Sequence, residues 1–242
     1  MNDNIWAKLT ALHAKCRKSA PALYAKANSE GTLYIYEPIG EDMFGGISAK
    51  HVADALNDMQ DVRKLTVYVN SPGGAYFDGK AIYNQLRRFA EKREVVAVVD
   101  GLAASAATIV LMGASRVVMN ASATMMIHEV AAVAAGNAST LRDMADVLEI
   151  ETKTLAAIYA QRTGLDEVKV SAMLAAETFM TAAEAMELGF ADELDGEEKP
   201  APAKVVAVAP MQKAVAAAEQ TRRVLSDAQI KVALAKLRMR TR

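Results

Sequence analysis

The sequence predicts an α/β protein built on a mostly parallel sheet. The first observation is a set of short runs rich in β-branched and aromatic residues, each closed by Pro, Asn or Asp: "TLYIYEP" (32–38), "KLTVYVN" (64–70) and "EVVAVVD" (94–100). The second is that the stretches between them, "SAKHVADALNDMQ" (48–60) and "DGKAIYNQLRRFAEK" (78–92), carry helical spacing. The third is the alternation itself. Strands joined through helices pair in parallel and imply covered sheet faces.

Taken in order, the region before Glu30 reads as an amphipathic helix followed by a polar spacer. Ile5, Leu9 and Leu12 form its apolar side, with Lys8 and Lys15 outward. Ser48 stands as the N-cap of the helix after the first strand. Beyond the third strand, "GLAASAAT" has the composition of a buried helix, and "RVVMNASATMMIH" (116–128) supplies one or two more short strands. "STLRDMADVLEIETKTLAAIYAQRTG" (139–164) is a long amphipathic helix with Gly164 in the C-cap position. "TAAEAMELGFADEL" (181–194) is a helix with Thr181 as N-cap and an apolar exit. Pro200, Pro202 and Pro210 then mark an Ala/Pro/Val-rich linker, followed by a polar, Ala-rich, basic tail.

Composition narrows the function classes. Of the 242 residues 52% are hydrophobic and 24% charged, as in ordinary globular proteins. No run reaches the roughly 18 apolar residues that cross a bilayer; Asp100 and Arg116 bracket the longest candidate. The N-terminal stretch lacks the layout of a secretory signal. A single cysteine, Cys16, cannot form an internal disulfide, so the expectation is a cytoplasmic protein. Net charge is −1, divided as +3 over residues 1–30, −10 over 31–195 and +6 over 196–242. That asymmetry predicts a basic N-terminal arm, an acidic globular body and a basic tail.

Four stretches could carry chemistry. In "VNSPGGAYFDG" (69–79) a strand ends at Asn70 and Gly73–Gly74 follow. Two glycines there make a tight strand–helix turn, or leave bare N–H groups for an oxyanion. In "DGLAASAAT" one hydroxyl, Ser105, stands among alanines at a strand-to-helix junction. It is a structural serine, or a nucleophile near a helix N-terminus. The flanking Ala103 and Ala107 depart from the G-x-S-x-G elbow. His128 ends an apolar run and, as an imidazole, is a structural or solvated residue or the general base that such a hydroxyl needs. Glu177 precedes a capped helix, as a dipole-facing acid or one that orients an imidazole. Glu129 is a weaker rival, because successive strand residues face opposite sides. Asp78 and Asp100 are further acids without a geometric argument. His13, His51, His128 and one cysteine give no metal-ligand spacing. The acidic body lacks the basic–aromatic interleaving of a nucleic-acid binder.

The order of these motifs is more telling than any one of them. "YVNSPGG", "GLAASAA", "MMIHE", a long helix and "ETFMTAAEAMELGFADEL" together resemble the proteolytic subunit of the Clp protease family, over about residues 31–195. The resemblance implies a Clp protease/crotonase-like spiral of ββα units with a protruding handle helix at 140–163. It implies Ser105 as nucleophile, His128 as general base and Glu177 as orienting acid. Gly74 and Ala106 match the two oxyanion N–H donors, and the stretch with Gly73, Ala75 and Tyr76 would pair with substrate as an added strand. The implied activity is serine endopeptidase chemistry on peptide or protein, without cofactor, in stacked rings joined through the handle. The implied partners are an AAA+ unfoldase or phage capsid proteins, with no membrane and no specific nucleic acid.

Several departures stand out. Glu177 replaces the family's usual Asp, and Glu129–Val130 stand where Gln-Pro is common. The axial loop is not recognisable in residues 1–31, and the Ser105–His128 loop is slightly shortened. With the basic tail, these features resemble the phage and prophage head-maturation branch. Two readings of other classes stay open: a crotonase-like acyl-CoA enzyme, and a non-catalytic shell or scaffold protein. Self-processing within the linker is a further reading beside a plain tether.

Overall fold

The structure, a computed structural model, describes residues 23–41 and 46–196. The expected N-terminal helix, the linker and the basic tail lie outside the described residues. The first strand, β1 (Tyr24–Ala27), pairs antiparallel with β2 (Glu30–Ile35). The two-residue turn Asn28–Ser29 has φ of 50° and 64°, the doubly left-handed geometry that suits a tight hairpin. Residues 24–27 are therefore sheet, not the polar spacer expected of them. "YAKA" shows no apolar alternation because β1 is an edge strand, with three of its four residues exposed.

From β2 the chain alternates. Helix α1 (Ala49–Asp58) leads to β3 (Lys64–Ser71), α2 (Tyr76–Ala90) to β4 (Glu94–Ala104), and α3 (Ala106–Leu111) to β5 (Arg116–Asn120). Ser48 caps α1: its hydroxyl accepts the His51 N–H at 3.4 Å, and His51 Nδ1 accepts the Ser48 N–H at 3.5 Å. β2, β3, β4 and β5 are parallel neighbours in that order. Register puts Leu33, Val67, Ala97 and Val117 in one row and Ile35, Val69, Val99 and Met119 in the next, all 0% exposed. Except for the small Ala97, each such burial contributes about 1.5–3 kcal/mol.

The opposite face differs from the covered faces expected. Tyr34, Tyr68 and Val98 remain part-exposed there, and Tyr36 is exposed. Strands that advance across a sheet in one direction, each through a right-handed crossover, lay all their helices on one side. The other side is left with tyrosines, which tolerate water at the ring edge. Tyr34 stacks on Tyr68 at 5.5 Å between ring centroids.

What positions the site is the length of β4. Its eleven residues outrun β5: Val96–Val99 pair with β5, whereas Leu102–Ala104 pair with β6 (Thr124–Ile127). β6 is joined antiparallel to β7 (Thr178–Thr181). Between β6 and β7 the chain makes a long excursion through α4 (Ala138–Thr163) and α5 (Glu167–Ala175). Asn137 caps α4, and Gly164 ends it with a φ of 73°. The first twelve residues of α4 stay out of the core, whereas Leu155, Ala156 and Tyr159 are buried. Tyr159 meets Phe190 edge to face, with centroids 5.5 Å apart. Helix α6 (Ala182–Glu187), capped by Thr181 and Glu184 reciprocally, leads into β8 (Glu193–Asp195), which closes on β5. Among the described residues, no helix is long and apolar enough to cross a membrane.

Candidate active site

Three strand ends converge. Ser105 follows the last residue of β4, His128 follows the last residue of β6, and Glu177 precedes the first residue of β7. Ala104 pairs with Met126, and Ile127 with Thr178. The ladder ends at that last pair, with His128 one residue beyond β6 and Glu177 one residue before β7. These two residues are far apart in sequence, yet the antiparallel ladder brings their backbones to the same end of the sheet.

Ser105 has φ 55° and ψ −123°, rare for a residue with a side chain. It makes the sharp turn between β4 and α3, whose first N–H groups lack intrahelical acceptors. Small neighbours permit the turn without the elbow's usual glycines: Ala103, Ala104, Ala106 and Ala107 are at most 4% exposed. Gly73 lies against it so closely that a Cβ there would meet Ala104 O at 2.5 Å and Ser105 Cβ at 2.7 Å. Below the turn, Thr108 is fully buried, and its hydroxyl reaches Ala103 O at 3.1 Å and Met126 O at 3.0 Å. Met126 O also accepts the Ser105 N–H at 2.9 Å. These bonds lock β6 to the turn two residues before His128. The result is His128 Nε2 at 2.8 Å from Ser105 Oγ, both half-buried.

The diglycine turn forms the facing wall. Ile39 N–H donates to Gly73 O at 2.9 Å, and Ala75 N–H donates to Ile39 O at 2.8 Å. That leaves the Gly74 N–H on the opposite side, and among the described residues neither it nor the Ala106 N–H donates to a backbone carbonyl. Gly74 adopts φ 146°, and a Cβ there would lie 2.2 Å from Ile39 O. Ser71, fully buried, holds the turn: its hydroxyl donates to Glu37 O at 2.7 Å and accepts the Gly73 N–H at 3.2 Å. The extended segment expected to pair with substrate is shorter than residues 74–76. Ala75 already serves Ile39, and Tyr76 opens α2.

Between these walls lies a cleft of about 90 Å³, bordered by Gly74, Ser105, Ala106 and His128 and floored by Ile109 and Leu155. Tyr76 lines it too, and its hydroxyl donates to Glu151 O of α4 at 3.2 Å. Burial, with Glu151 beside it, pushes the Tyr76 phenol well above its ordinary value. Lys80, 2.6 Å from the Glu151 carboxylate, holds that acid below the usual range. These contacts tie α4 to α2 at the cleft's edge.

The acids sort themselves by engagement. Asp78 accepts the Ala49 N–H at 2.7 Å, and Asp100 bonds Tyr36 and Asn120; both are occupied away from the cleft. Glu177 is exposed at φ 48°, and among the described residues its carboxylate has no hydrogen-bond partner. Glu129 lines the same cleft as His128. The alternation that argued against it stops applying at Ile127, where β6 ends. Among the described residues no three His, Cys, Asp or Glu side chains gather as metal ligands. Sequence reasoning passed over Ser71 and Thr108, which carry no chemistry themselves. Their signal was faint: Thr108 is a hydroxyl in a run of small and apolar residues, and Ser71 a hydroxyl at a strand end before Pro72.

Comparisons with known proteins bear on the fold and the family. The family model described as Clp protease matches residues 16–198, a wider span than the motifs suggested. The ATP-dependent Clp protease proteolytic subunit of Oltmannsiellopsis viridis is 30% identical over 176 residues, 71% of this chain and 87% of the relative. The proteolytic subunit 1 of Streptomyces coelicolor is 28% identical over 174 residues, covering 71% and 77% respectively. Among solved structures, a point mutant of ClpP1 from Listeria monocytogenes superposes with a TM-score of 0.60 at 20% identity, over 78% of this chain and 97% of that one. That likeness establishes the fold, and the family match over three quarters of the sequence establishes the lineage: the chain belongs to the Clp protease family.

Proposed function

We propose that this chain is a serine endopeptidase that works in a ring-shaped oligomer. One observation carries the reading: His128 Nε2 stands 2.8 Å from Ser105 Oγ in a cleft flanked by the Gly74 and Ala106 amides. His128 takes the hydroxyl proton as Ser105 attacks a peptide carbonyl, then returns it to the leaving amine. The two N–H groups stabilise the oxyanion that forms. Water, deprotonated by the same imidazole, releases the acyl group and regenerates the hydroxyl. Glu177, which precedes β7 at the same sheet end where His128 follows β6, would have to turn in from solvent to orient the imidazole, the role that the motif resemblance gives it.

The relatives carry the name ATP-dependent proteolytic subunit, which favours a separate ATP-driven partner that delivers unfolded substrate. The protruding half of α4, with Leu141, Met144, Val147 and Ile150 all exposed, supports ring-to-ring stacking through that helix. The basic tail favours a second setting, maturation of a phage or prophage head. Co-purification with a capsid protein rather than an ATPase would select it.

The test is direct. Ser105→Ala abolishes peptide cleavage and labelling by a fluorophosphonate, a loss of roughly 10⁴-fold or more in kcat. Glu177→Ala lowers kcat at least about tenfold if that acid orients His128. Labelling that persists without the Ser105 hydroxyl would refute the assignment.

A further inference from the structure

The cleft lining contains one fixed charge that the mechanism does not use. Glu129 borders the same space as Ser105 and His128, and no lysine or arginine shares that lining. Lys80 of α2 is engaged by Glu151 at 2.6 Å. Among the described residues, Glu129 has neither an ion-pair nor a hydrogen-bond partner. Beside Ser105, His128 and Tyr76 the cleft has apolar walls, with Ile109, Val130, Ala131 and Leu155 around about 90 Å³. An apolar cavity of about 150 Å³ admits a benzene ring, so this smaller space suits an aliphatic side chain.

We propose that Glu129 is a specificity-determining residue that makes the cleft select peptide segments with a basic side chain next to an aliphatic one. The aliphatic group fills the space over Ile109 and Leu155. The neighbouring ammonium or guanidinium then comes to the carboxylate, which no described residue neutralises. The surrounding field acts in the same direction, since residues 31–195 carry a net charge of −10 and draw cationic segments towards the body. An acidic segment meets repulsion at both ranges. This inference rests on the peptidase reading, and it adds to that reading the class of substrate.

Three quenched peptides test it on the full-length protein. They are identical except for Lys, Gln or Glu on each side of a central Leu, and cleavage is mapped by mass spectrometry. The Lys peptide is expected to exceed the Glu peptide in kcat/KM by about three- to tenfold, the range of one exposed attraction and one exposed repulsion combined. The preference shrinks in 1 M salt, where the screening length falls to about 3 Å. Glu129→Gln brings the Lys/Glu ratio to within about twofold of unity, and Glu129→Lys inverts it. Glu91→Gln, at an exposed acid on the far end of α2, retains the wild-type ratio. A wild-type ratio near one, or a ratio unchanged in Glu129→Gln, overturns the proposal while leaving the peptidase reading intact. Cleavage of none of the three peptides overturns both.

Discussion

At the scale of single residues, the site depends on a backbone that L-residues avoid. Ser105 at φ 55° stores strain of order 1–3 kcal/mol, and surrounding contacts must hold it there. Gly73 is the most demanding of them, because its missing side chain is the space into which the turn fits. Gly73→Ala places a methyl 2.5 Å from Ala104 O, so Ser105 or the diglycine turn must move. The expected outcome is a fall of about 10²–10³ in kcat, the cost of a misplaced oxyanion donor, and stability lower by about 1–3 kcal/mol. Steady-state kinetics and thermal unfolding would check it; near-wild-type activity would mean that the turn is not held by contact with Gly73. The sequence marked Ser105, His128 and the glycine pair as unusual residues in their settings. It ranked Glu129 as the weaker rival, because the rule that successive strand residues diverge was applied past Ile127, where the strand stops.

At the scale of elements, the site is built by one strand outrunning its neighbour. Beyond Asp100, β4 leaves β5 and takes β6 as partner, and β6 brings β7 with it. Thr108 joins these pieces with a single hydroxyl reaching two carbonyls on different strands. Thr108→Val keeps the volume and removes both bonds. Met126 O keeps the Ser105 N–H, so the loss is that of one shared buried hydrogen bond, about 0.5–1.5 kcal/mol, and His128 loses part of what fixes its distance from Ser105. Thr108→Val is expected to lower the melting temperature and kcat together, and Thr108→Ser to restore most of both. A Thr108→Val protein with wild-type kcat would show that β6 is held by its ladder alone. The long helices were legible from their periodicity and caps. β1, β7, β8 and α5 were not. The strands among them are three or four residues long, too short to establish a period, and their stability comes from pairing partners remote in sequence.

At the scale of the whole molecule, what is exposed matters as much as what is buried. Leu141, Met144, Val147 and Ile150 recur every third residue along the part of α4 that stands clear of the body, 37–60% exposed. A protruding apolar stripe of this kind marks an association surface. Val147→Glu combined with Ile150→Glu would place two carboxylates in the proposed stacking surface. The assembly mass by native mass spectrometry should fall by half, with the far-ultraviolet spectrum unchanged. An unaltered mass would exclude α4 as the stacking element.

Local patterning was enough to define the class of this protein. β-branched runs alternating with capped amphipathic helices specify an α/β layer structure, because period and propensity are properties of short windows. The ordered motifs also pointed to the family. Only the tertiary structure decided which residues meet, since the register of β6 between β4 and β7 depends on pairings across separations of 22 and more than 50 residues. The same holds for the uncovered tyrosine face and for the cleft that Glu129 enters. Side-chain chemistry is written in the chain, but proximity is set by which edges pair, and that is a choice the whole core makes at once.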